Sequence, residues 1–108
     1  MSSELLEEFV EPPDKRILGL PRKLFHPERF LIVKILGRHG AVDFRELRLA
    51  LGITDGNLAS HLRALEQEGY IVVQKKFEGR RPRTSYELTE SGRHAYNELL
   101  EALRAVLT

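Results

Sequence analysis

Two helical segments joined by only three residues, Gly52-Ile53-Thr54, constrain this chain more than any other feature of its sequence. Asp43 with Glu46 three positions on has the form of a capping box, which predicts a helix over 44–51 closed by Gly52. Thr54 is placed to cap a second helix, over 55–68, which ends at Gly69. Its Leu58, Leu62 and Leu65 recur at i, i+4 and i+7, so one stripe faces a core. A three-residue link forces such helices to cross steeply and leaves the second one projecting from the body.

The flanking segments are read by the same local rules. Ser3 predicts a cap for a short helix over 4–10, with Leu5, Leu6 and Phe9 on one side, ended by Pro12-Pro13. Residues 14–26 read as an extended arm with scattered apolar anchors. Pro27 suits the first position of a helix over 27–38, and its Phe30, Leu31, Ile32, Val33, Ile35 and Leu36 predict a buried central element. Ala41-Val42 fits a very short strand. Residues 70–77 are β-branched and aromatic and read as a strand, followed by a loop over 78–83 and a second strand over 84–88. Thr89 predicts the cap of a long last helix over 90–107.

Composition bounds the function. The chain has 108 residues, enough for one core, and lacks cysteine, which excludes a disulfide framework, a cysteine-ligated metal sensor and a thiol switch. The longest apolar runs are far short of the roughly 20 residues a membrane span needs, and no secretory pattern opens the chain, so the expectation is a cytoplasmic protein with no membrane role. Residues 1–14 carry a net charge of −5, which leaves +6 on the rest of a chain whose total is +1. An acidic arm on a basic body suggests a polyanionic partner.

Helix, helix, tight turn, helix, β-hairpin, helix is the order of a winged helix-turn-helix, a mostly helical α+β fold. The expected organisation is an N-terminal helical arm over 1–26, a DNA-binding domain with a two-stranded wing over 27–89, and a C-terminal dimerisation helix over 90–108. A helix fits the major groove of B-DNA. Opposite the leucine stripe stand Gly56, Ser60, Arg63 and Gln67, flanked by Asn57 and His61; with Thr54 they form the expected recognition surface. Lys75, Lys76, Arg80, Arg81 and Arg83 face one acid, Glu78, and form the expected wing contacts to phosphate or minor groove.

The runs Thr54-Asp55-Gly56-Asn57-Leu58-Ala59-Ser60-His61-Leu62, Phe77-Glu78-Gly79-Arg80-Arg81-Pro82-Arg83-Thr84 and Tyr86-Glu87-Leu88-Thr89-Glu90-Ser91-Gly92-Arg93 resemble a family of small archaeal and bacterial winged-helix regulators related to the MarR and ArsR superfamilies. The resemblance covers roughly residues 29–96 and implies a dimeric DNA-binding regulator. Cysteine metal ligands of the ArsR type are missing, so metal sensing does not carry over.

Tyr96, Leu99, Leu103 and Val106 recur at coiled-coil spacing and Leu100 widens the stripe, which predicts a two-fold dimer that Leu5, Leu6 and Phe9 join. His26, His39, His61 and His94 show no helical metal-pair spacing, so no metal and no cofactor are expected. His61 is evenly divided between DNA contact and helix packing. Ser60-His61 are adjacent on a helix and diverge, and no carboxylate is isolated in an apolar run, which argues against an enzyme. The expectation is a homodimeric, sequence-specific double-stranded DNA-binding regulator, a repressor in its simplest form, with no recognisable effector chemistry. The alternatives are a non-specific architectural DNA binder and a winged-helix protein-interaction module.

Overall fold

A computed structural model describes residues 19–107; the expected helix over 4–10, with Leu5, Leu6 and Phe9, lies outside them. A short 3-10 turn at Arg22–Leu24 leads into α1 (Pro27–His39), which ends at Gly40. Then follow β1 (Val42–Asp43), α2 (Phe44–Leu51), α3 (Asp55–Gln67), β2 (Ile71–Glu78), β3 (Arg81–Leu88) and α4 (Glu90–Leu107).

The caps form where the sequence puts them. Asp43 Oδ1 accepts from the Glu46 amide at 2.7 Å, and Thr54 Oγ1 accepts from the Asn57 amide at 3.1 Å. Between them Gly52 adopts the left-handed conformation, φ 64° and ψ 32°, which strains any side chain and lets α2 turn directly into α3.

The expected two-stranded wing is formed by β2 and β3, and β1 adds a third strand to the sheet. Its order is β1-β3-β2, all antiparallel, with Val42 opposite Tyr86 and Asp43 opposite Ser85. The short strand is Val42–Asp43 rather than 41–42, and it ties the base of the hairpin to the start of α2. The expected loop over 78–83 is instead a two-residue turn, Gly79-Arg80, because Glu78 pairs with Arg81 and both strands run eight residues. Gly79 at φ 65° takes the first turn position, the place glycine fills in a type II′ hairpin.

One core joins segments that the sequence pattern separates. Leu24 of the N-terminal arm is fully buried with Ile32, Val33, Leu47, Leu58, Leu65, Ile71 and Leu99. Leu99 therefore departs from its expected place in a dimer seam: at 1% exposure it packs inside its own subunit, and Tyr96 lies against Phe30 with ring centroids 5.1 Å apart. The inner face of α4 (Ala95, Leu99, Ala102) is buried in this way, whereas Leu31 of α1, expected in the core, is 44% exposed.

The hairpin and α4 meet at one junction. Thr89 Oγ1 donates to the Gly69 carbonyl at 2.6 Å and accepts from the Gly92 amide at 3.0 Å. This draws the first turn of α4 so close that a Cβ on Gly92 would sit on the Tyr70 carbonyl and 2.7 Å from Leu88 Cδ1. Gly92→Ala should destabilise the fold by roughly 1–3 kcal/mol, as overpacking does. Urea unfolding measures this, and an unchanged midpoint would mean the turn shifts freely.

Candidate nucleic-acid interface

Burial of the leucine stripe turns the opposite face of α3 outward. Thr54, Gly56, Asn57, Ser60, Arg63 and Gln67 are all exposed, and the space a side chain on Gly56 would occupy is open. Asp55, an acid at the start of this helix, pairs with Arg48 Nε of α2 at 3.0 Å. Both partners face water, so the pair adds little stability, but it offsets a charge that would repel phosphate.

His61 does not share that outward face. Its side chain is 13% exposed and turned toward the start of α1, where Arg29 Nε donates to His61 Nδ1 at 3.0 Å and the ring of His26 lies 4.4 Å away between centroids. Burial, with His26 and Arg29 nearby, pushes the His61 pKa down from its ordinary value, against an opposing pull from Glu28. A neutral ring suits the geometry, since its Nδ1 accepts from a guanidinium. Of the two roles open to His61 in the sequence, the structure places it in helix packing. Glu28 Oε2 lies 2.7 Å from His26 Nδ1 and 4.0 Å from His61 Nε2. Sequence spacing hides this grouping because the two histidines stand on separate elements.

The wing divides into two kinds of base. Lys75, Lys76, Arg80 and Arg81 are exposed, and among the described residues none of them forms an ion pair. Arg83 instead spans two acids, with Nε 3.1 Å from Asp43 Oδ2 and Nη1 2.8 Å from Glu78 Oε2. Asp43 is thus the residue whose role the sequence shows only by half: one oxygen caps α2 and the other holds the wing. Its capping role is visible locally, whereas its partner Arg83 lies far along the chain, on β3. Arg83, expected to touch DNA, is half-exposed and held against the hairpin by these two acids.

Beside the start of α1 an open apolar groove is lined by Leu24, Phe25, His26, Pro27, Phe30, Leu99 and Leu103. Phe25 is 48% and Val106 50% exposed, while Leu100 and Leu103 are half-buried.

The winged helix DNA-binding domain model matches residues 29–107, which takes in α3, the wing and α4. The chain belongs to this family. Among solved structures it is similar to a transcriptional regulator homologue from Pyrococcus horikoshii, with 31% identity, 96% of this chain and 94% of that chain covered, and a TM-score of 0.75. A MarR-family transcriptional regulator from Enterococcus faecalis gives 26% identity, 90% and 89% coverage, and a TM-score of 0.71. Mutant MarR of E. coli complexed with operator DNA shares the fold at 18% identity, with 68% and 51% covered and a TM-score of 0.61. The family is one of MarR-like DNA-binding transcriptional regulators, not enzymes. Among the described residues no helix is long and apolar enough to cross a membrane.

Within this winged helix domain, Asp43→Ala should cost about 1–2 kcal/mol, chiefly through removal of the cap. Arg83→Ala, at a half-exposed pair, should cost under about 1 kcal/mol. A double-mutant cycle on unfolding free energies checks the link: the two costs should add to more than the double variant loses, and strict additivity would show that Arg83 does not hold Asp43.

Proposed function

We propose that this winged helix protein is a sequence-specific regulator of double-stranded DNA, acting as a cytoplasmic homodimer that represses by occupying promoter DNA. The observation that carries the reading is the exposed polar face of α3, displayed on the same body as a hairpin bearing five exposed bases, four of them outside any ion pair among the described residues. In this arrangement α3 enters the major groove. Asn57 and Gln67 have the amide pairs that match adenine, and Arg63 the fork that matches guanine, each pairing worth about 1–3 kcal/mol of discrimination. Thr54 accepts from its own helix and keeps its hydroxyl hydrogen for a phosphate, a role Ser60 also suits. Lys75, Lys76, Arg80 and Arg81 lie along the backbone or enter the minor groove.

The homodimer reading rests on apolar surface. Phe25 and Leu103 line the groove beside α1 and α4, Val106 is exposed one helical turn beyond Leu103, and a second copy is the simplest cover for them. Tyr96 and Leu100 flank that surface, and Leu5, Leu6 and Phe9 are the segment proposed to reach across it. Two-fold symmetry would then set two α3 helices about 34 Å apart on successive major grooves. The operator complex of E. coli MarR supports the DNA reading through its shared fold. A non-specific architectural role is the second reading, favoured by the single base, Arg63, on the outward face of α3.

Selection from a random DNA library at moderate salt tests the proposal. An enriched palindrome is the expected result; binding without enrichment would favour the architectural role, and no binding at low salt would sink the DNA reading. Arg80→Ala with Arg81→Ala should weaken binding to all sequences and lower the salt slope by about 1 for each phosphate no longer neutralised. Leu103→Glu with Val106→Glu should yield a folded monomer by sedimentation. A dimer unaffected by these charges would place the interface elsewhere.

A further inference from the structure

Three metal-ligating side chains meet where α1 begins and the middle of α3 passes. His26, Glu28 and His61 each offer one ligand atom, and these atoms lie within 4.8 Å of one another. The closest pair, His26 Nδ1 and Glu28 Oε2, are 2.7 Å apart, and His61 Nε2 lies 4.0 Å from the same oxygen. Ligands about 2.0–2.2 Å from one zinc ion in tetrahedral array stand roughly 3.3–3.5 Å from each other. The three atoms therefore bracket that spacing, and modest side-chain shifts would close the site.

A second observation concerns His26 alone. Its Nδ1 is screened from water and has no hydrogen-bond partner among the described residues, although Glu28 Oε2 lies 2.7 Å away and the side chain as a whole is 42% exposed. Two acceptor atoms this close repel each other unless a proton or a cation is shared between them, and a metal ion held by both would serve. Two imidazoles and a carboxylate are the donor set of a borderline divalent cation such as zinc, with a fourth position left for water.

We propose that His26, Glu28 and His61 form a binding site for a divalent transition-metal cation of the zinc class, which joins the start of α1 to the recognition helix. One neighbour opposes it. Coordination through His61 Nε2 puts the ring proton on Nδ1, where the Arg29 Nε–H now donates. Arg29 must withdraw for the ion to enter, and its positive charge adds to the opposition. Arg29 thus competes with the metal for one state of His61. An acceptor in its place would turn competition into support, as a carbonyl or carboxylate does behind a metal-bound histidine.

The ion would fasten α3, at its centre, to the helix that packs behind it. Its occupancy is therefore coupled to DNA reading, and this second step rests on the function proposed above. His26 is the ligand that tests the coupling cleanly, since its replacement removes a donor without altering α3.

Cobalt(II) titration, followed by its visible ligand-field bands, and zinc competition against a chromophoric chelator read the site directly. The wild-type chain should take up one ion, and His26→Gln and His61→Gln should each weaken binding at least about tenfold. His94→Gln, whose ring pairs with Glu98 on the exposed face of α4, should leave binding unchanged. Arg29→Gln should bind about tenfold more tightly or better, a gain that misfolding cannot mimic. No binding by the wild type, or binding indifferent to both His26 and His61, would overturn the site. In DNA titrations zinc should then shift the wild-type affinity by at least about fivefold and leave His26→Gln unmoved. Equal shifts in both would overturn the coupling, while a chain that binds metal but no DNA would overturn the regulator reading and leave the site standing.

Discussion

Leu58, Leu62 and Leu65 are 0%, 2% and 0% exposed, and their removal from water fixes the rotation of α3 about its own axis. Each buried leucine contributes about 1.5–3 kcal/mol, so turning the helix by one residue would forfeit several kcal/mol at once. Everything displayed on the other side follows from that constraint. Asn57, Ser60, Arg63 and Gln67 face outward because the leucines cannot, and the recognition surface is the complement of a hydrophobic one. The same rotation carries His61 inward to Arg29 and His26, which makes it part of the packing between α1 and α3.

A second set of constraints comes from side chains that satisfy two partners. Asp43 caps α2 with one oxygen and holds Arg83 with the other; Thr89 caps α4 and also donates to the Gly69 carbonyl. Each ties a helix start to the hairpin, one at the side of β3 and one at its end. A two-stranded hairpin alone is marginally stable in water, so these ties, with the short strand β1, give the wing a defined direction. Bases on such a hairpin are worth more to a polyanionic partner than bases on a loose loop, because less conformational entropy is forfeited when they dock.

Much of this architecture is legible in the chain because its signals are local. Caps at Asp43, Thr54 and Thr89, the break at Gly52, and the i, i+4, i+7 leucines each act within one or two turns, and each appears in the structure where the sequence predicts it. The exposed polar face of α3 follows from the same periodicity. The wing is longer than its sequence suggests, since Pro82 and two arginines look like loop composition, whereas strand pairing extends to a two-residue turn. The last helix is less external than its pattern suggests: a heptad stripe looks the same whether it packs on a second copy or within its own subunit, and Leu99 packs within its own.

Sequence by itself determined the order of elements, most of their ends, and which face of α3 is polar, because capping, backbone strain and helical period depend on neighbours along the chain. Tertiary structure alone decided what the polar residues do once folded. It paired Arg83 with Asp43, took Asp55 to Arg48, and brought His26 and Glu28 to His61. Those meetings depend on the crossing of α1, α3 and the hairpin in space, which is set by how their buried faces pack and leaves no periodic trace in the sequence.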